Sequence, residues 1–111
     1  MTTGLLDGRV VLVTGGAGNL GAPISRLLAA QGARVVINDV NAVKGAALVE
    51  EVVAAGGQAV FDCTDVSTVA GGQALVRKAI DEFGTVDSLV LLAGRIPLSP
   101  LADISEDAGP G

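Results

Sequence analysis

One hundred and eleven residues suffice for one domain and not for two. Half are hydrophobic, only 2% are aromatic, and the net charge is −5, which excludes the lysine- and arginine-rich face that nucleic acid demands. No apolar run nears the roughly 18 residues of a membrane span, the N-terminus lacks the basic start of a signal peptide, and no histidine is present to serve a metal site or a histidine-based triad.

The cytoplasm is therefore the expected compartment. The lone cysteine, Cys63, can form no internal disulfide. It sits in an apolar run with no histidine to activate it, so a buried thiol is expected.

In chain order, Val10 to Thr14 is a short apolar run that ends at glycines, the mark of a strand buried on both faces. Leu20 to Gln31 carries Leu20, Ile24, Leu27 and Leu28 at helical spacing. Pro23 falls in its first turn, where a missing N–H does no harm, and Gly32 stops it. Arg34 to Asn38 is a second strand. Asn41 to Ala55 is a second helix, with Val43, Ala46, Ala47, Val49 and Val53 as its expected inner face, stopped by Gly56 and Gly57. Gln58 to Asp62 is a third strand. Ser67 is a candidate cap for a third helix that runs to Phe83, with Val69, Val76, Ile80 and Phe83 inward and Gly84 after it. Ser88 to Leu92 is a fourth strand. The remainder reads as loop, with a short helical turn at Leu101 to Ile104. Strands alternate with helices, and each crossover is long enough for a βαβ unit. The pattern predicts a parallel sheet with helices on both faces.

The turn after the first strand reads TGGAGNLG and holds four glycines in eight residues. From Gly16 it is G-x-G-x-x-G, with Gly18 and Gly21, placed between a buried strand and an amphipathic helix. Glycine there removes the Cβ that would hold a pyrophosphate away from the unpaired amides of a helix N-terminus, where the dipole also favours negative charge. Asp39 closes the second strand, the usual place of an acid that accepts hydrogen bonds from ribose hydroxyls. It would repel a 2′-phosphate, which favours NAD(H) over NADP(H). Both features have plainer readings. The glycines can form a tight turn, and Asp39 can cap the second helix.

TGGAGNLG resembles the T-G-x-x-x-G-x-G turn of the short-chain dehydrogenase/reductase family, with Asn19 where the middle glycine usually stands. It also fits T-G-x-x-G-x-x-G of the longer, epimerase-like branch. LDGRVVLVTGG, DCTDVS and EFGTVDSLVLLAG are similar to further segments of the compact branch, so the likeness runs from about Leu5 to Ala108. It implies a single Rossmann-type NAD(P)-binding domain over residues 1–111, a doubly wound parallel α/β sheet left incomplete at four strands in the order 3-2-1-4. Residues 95–111 are a loop-like tail. The implied cofactor is NAD, held by Gly15, Gly16, Gly18, Asn19, Leu20, Gly21, Asp39, Val40, Asp65, Val66, Ala93 and Gly94. By resemblance Asp65 meets the adenine amino group and Val66 lies beside the ring.

Two departures stand out. Leu91 and Leu92 replace the family's Asn-Asn, whose side chains help tie sheet to cofactor loop. The Tyr-x-x-x-Lys pair, in which lysine lowers the tyrosine pKa for proton exchange, is absent, because the chain has no tyrosine. No catalytic residue is assigned. LADISEDA resembles the start of the family's Asn-bearing helix, but AGPG follows it, so a replaced continuation is expected. The expected function is the NAD-binding portion of an alcohol/carbonyl oxidoreductase, this chain by itself being inactive. The alternatives are a non-catalytic dinucleotide-binding or dimerising module, with self-association through an exposed SLVLL strand, and an epimerase-like member.

Overall fold

The computed structural model describes residues 4–92. Four strands and three helices alternate: β1 (Val10–Thr14), α1 (Gly21–Ala30), β2 (Arg34–Asn38), α2 (Ala42–Ala54), β3 (Gln58–Asp62), α3 (Val69–Phe83) and β4 (Ser88–Leu91). The sheet is parallel throughout, in the order β3-β2-β1-β4. The first three strands take the bounds their apolar runs predict, and the fourth stops one residue short, at Leu91. The expected turn at Leu101 to Ile104 and the tail lie outside the described residues.

β1 is central, and every one of its residues is buried. That is why it reads as an unbroken aliphatic run rather than an alternation. Alternate side chains feed two cores. Val11, Val13, Val35, Ile37 and Ala59 meet Ala29 of α1 and Leu48 and Val52 of α2 on one face. Leu12 and Val36 meet Leu75 and Ala79 of α3 on the other.

The helix faces differ from expectation. The buried positions are Gly21, Ser25 and Ala29 on α1, Gly45, Leu48 and Val52 on α2, and Gly71, Leu75 and Ala79 on α3. Leu20, Leu27, Val43, Val53, Val69, Val76 and Ile80 are exposed instead, as are Ala46 and Ala47. Ile24, Leu28, Val49 and Phe83 are half-buried. Each buried stripe contains a glycine: a Cβ on Gly45 would meet the Phe61 ring of β3, and one on Gly21 or Gly71 would meet the Gly15 or Asp65 carbonyl of a neighbouring loop.

Caps also shift by a residue. Thr68, not Ser67, caps α3 by accepting from the Gly71 amide at 3.0 Å. Asn41 caps α2, accepting from the Lys44 amide at 3.0 Å. Gly32, Gly56 and Gly84 follow the three helices with positive φ, as their placement predicts. Cys63 is exposed rather than buried, because β3 ends at Asp62 and the chain turns out to solvent.

The N-terminal ends of the strands are closed by polar contacts. Asp87 accepts from the Val10 amide at 2.8 Å and lies 3.7 Å from the Arg9 guanidinium. Arg34 stacks over Phe83 and donates to Gly8 O at 3.0 Å. Among the described residues no helix is long and apolar enough to cross a membrane.

Candidate functional site

At the opposite ends of the strands lies an open cleft of about 440 Å³. Its walls come from four places. The β1–α1 turn supplies Gly15, Gly18, Asn19, Leu20 and Gly21; the end of β2 supplies Asn38, Asp39 and Val40; the segment after β3 supplies Thr64 to Ser67; and Leu92 follows β4. Of the twelve residues predicted from sequence, nine line this cleft. Gly16 is buried just behind it. Ala93 and Gly94 lie outside the described residues.

The turn is built by glycine at two critical points. Gly15 takes φ of +68°, a conformation side chains resist. A Cβ on Gly21 would lie 1.9 Å from Gly15 O, so only glycine lets the helix start pass this close to the loop. The residue with positive φ is thus Gly15, one before the Gly16 that opens the G-x-G-x-x-G reading. The amides of Asn19, Leu20 and Gly21 find no acceptor among the described residues, as expected for the first turn of a helix. They form the donor-rich wall of the cleft.

The cleft also holds two acidic acceptors, one beside the glycine loop and one after β3. Asp39 accepts from the Ala17 amide at 3.1 Å and from the Asn41 amide at 2.8 Å. It therefore braces the glycine loop, and the cap of α2 is Asn41 instead. A carboxylate has room for further donors beyond these two. Asp65 is exposed. Hydrogen bonds from the Ser67 hydroxyl and amide, the latter at 2.9 Å, hold its carboxyl below the usual carboxylate range. Val40 and Val66 stand near these acids as the apolar part of the lining.

Sequence reasoning passed over three buried polar residues behind the cleft. Ser25, fully buried on α1, donates to Gly16 O at 3.0 Å. Thr14 bonds Val90 O and the Leu92 amide, joining β1 to β4 where the leucines stand. Asn38, 3% exposed, donates to Asp62 O at 3.3 Å and Thr64 O at 3.0 Å, while its own carbonyl accepts from the Gly16 amide at 3.0 Å. The signal was available. Each is a lone polar residue within an apolar strand or helix, and such a residue must find partners when buried.

A family model described as short chain dehydrogenase matches residues 9–109. This chain belongs to that family. The match includes the FGTVD–LAG segment. An uncharacterized oxidoreductase of Methylorubrum extorquens is 38% identical over 103 residues, covering 92% of this chain and 42% of the relative. A short chain dehydrogenase from Mycobacterium avium superposes with a TM-score of 0.80 at 37% identity, over 86% of this chain and 36% of that one. A 7 alpha-hydroxysteroid dehydrogenase, solved with NADH and 7-oxo glycochenodeoxycholic acid, gives a TM-score of 0.73 at 36% identity, over 76% of this chain and 33% of that one. The chain thus spans about two fifths of the length of such relatives. Its fold is the Rossmann-type half that these neighbours share.

Proposed function

We propose that this chain is the NAD(H)-binding portion of an oxidoreductase that moves hydride between the dinucleotide and an alcohol or carbonyl compound. The observation that carries the reading is the mixed chemistry of the cleft. Unpaired amides of Asn19, Leu20 and Gly21 and the carboxylates of Asp39 and Asp65 line one cleft, Asp39 against the glycine loop and Asp65 on the segment after β3. A dinucleotide presents the matching pattern: an anionic diphosphate for the amides and donor hydroxyl and amino groups for the acids. The NADH held by the hydroxysteroid dehydrogenase supports the same ligand class.

In this reading Gly15 to Gly21 cradle the diphosphate, Asp39 takes the adenosine ribose, and Asp65, Val40 and Val66 flank the adenine. Ala93 and Gly94 are assigned to the nicotinamide side by family pattern. Asp39 favours NAD(H), because a 2′-phosphate placed there would meet a carboxylate braced by two backbone amides. The dinucleotide supplies hydride transfer when bound. The residues of this chain bind and orient it, and without tyrosine they offer no family-type proton donor.

Titration of the purified chain with NADH, followed by fluorescence and calorimetry, tests the proposal. Saturable binding is expected, with no turnover on an alcohol panel. Folded protein that gives neither heat nor fluorescence change removes the function.

A second reading, a dimerising module, has one observation in its favour. Among the described residues β4 is an edge strand, and Leu89 and Leu91 on it are exposed.

A further inference from the structure

Asn38 sits where the two lips of the cleft meet. It is the last residue of β2, immediately before Asp39, and its side chain is almost wholly buried. Burying a carboxamide costs free energy unless both its hydrogens and its oxygen are used. Its two donations cross to the same neighbouring segment, at Asp62 O and Thr64 O. That segment leaves the sheet at Asp62 and presents Thr64, Asp65 and Val66 to the cleft.

From its other end the same turn is fixed by Asp62. One oxygen of that carboxylate accepts from the Thr64 amide at 2.8 Å and from the Thr64 hydroxyl at 2.6 Å. Thr64 is thus held by its amide and hydroxyl from one side and by its carbonyl from the other. The next residues, Asp65 and Val66, have no choice about where they stand.

On the opposite lip, the Asn38 main chain accepts from Gly16, and Asp39 reaches Ala17. These contacts rely on backbone and on Asp39, so they survive a change of the Asn38 side chain. The carboxamide therefore governs one lip only.

We propose that Asn38 is a positioning residue for the adenosine end of the cleft. Its carboxamide sets the distance between the end of β2 and the Thr64–Val66 wall. This rests on the dinucleotide reading above. It assigns the residue a selective effect, on the adenosine half of the ligand and not on the diphosphate cradle.

The test compares wild type with Asn38→Leu and Asn38→Ala, the first of which keeps the branched side-chain outline and removes both donors. Affinity is measured for NADH, for AMP and for inorganic pyrophosphate. Both variants are expected to bind AMP and NADH at least about tenfold more weakly, the scale of a lost buried hydrogen bond or two. Pyrophosphate binding should stay within about twofold of wild type, consistent with the cradle's independence. Equal losses for all three probes, or no loss for AMP, overturn the role.

A second measurement on the wild type holds even where the variants fail to fold. The Asn38 side-chain amide protons should exchange far more slowly than those of the exposed Asn19 and Asn41, and should shift with AMP but not with pyrophosphate. Exchange as fast as at Asn19 overturns the role whatever the ligand does. Wild type that binds none of the three probes overturns the function proposed above, while slow exchange at Asn38 would still mark the clasp itself.

Discussion

At the scale of single residues, the cleft is governed by two carboxylates that do different work. Asp39 is braced from both sides, so replacing it changes the loop as well as the ligand. Asp39→Ser is expected to reduce the preference for NADH over NADPH by about tenfold or more, read as the ratio of the two dissociation constants, since one unscreened like-charge contact is removed. Asp65 is held below its ordinary pKa by Ser67. A carboxyl depressed in the folded state contributes stability above its unfolded value of about 3.9 and loses it as acid passes the folded value. Asp65→Asn should therefore melt slightly lower than wild type at pH 7, and the gap should narrow as acid takes the pH below the unfolded carboxyl value. Thermal scans across that range check the sign. A gap that widens in acid contradicts the assignment. Both acids were legible in sequence because they close apolar strands or their exits. Asn38 and Ser25 were not, because their partners are main-chain atoms 24 or 26 residues away in one case and 9 in the other.

At the scale of elements, the strands were readable and the helix faces were not. A strand buried on both sides needs only a run of aliphatics, and VVLVT and RVVIN supply it without ambiguity. A helix laid on a sheet must choose among several apolar stripes. Hydrophobicity alone does not say which stripe faces inward, whereas close approach at a glycine does. On α1 the winning stripe is Gly21, Ser25 and Ala29, which a search for leucine passes over. On α2 it is Gly45, Leu48 and Val52, one step around from the stripe that contains Val43 and Val53. The two stripes differ in consequence. Leu48→Ala should cost about 2–5 kcal/mol in urea denaturation, while Val53→Ala, at an exposed site, should stay within about 0.5 kcal/mol. Similar losses at both positions would mean that α2 is rotated from the orientation described. The ion pair of Arg26 on α1 with Glu51 on α2 joins the outer faces of the two helices, and hydrogen bonding holds the Glu51 carboxyl below its usual range. Both side chains are open to water, so the pair aligns the helices more than it stabilises them.

At the scale of the whole molecule, the two edges of the sheet are unlike. β3 ends one side under α2, whereas β4 ends the other with Leu89 and Leu91 uncovered. α3 lies over β1 and β2, so the outer strip of that face has no helix above it among the described residues. An uncharged, apolar edge strand is a template for pairing. The wild-type chain is expected to self-associate as its concentration rises, and Leu91→Lys should shift it toward monomer in sedimentation velocity. Monomer at every concentration for both proteins would remove the second reading. The sheet order has a further result in time rather than space. β1 pairs on one side with β2 and on the other with β4, and the contact between Val10 and Asp87 closes a separation of 77 residues. During synthesis the first strand to leave the ribosome is thus the last to be flanked. At roughly 5–20 residues per second it waits several seconds after pairing with β2 with its other margin bare.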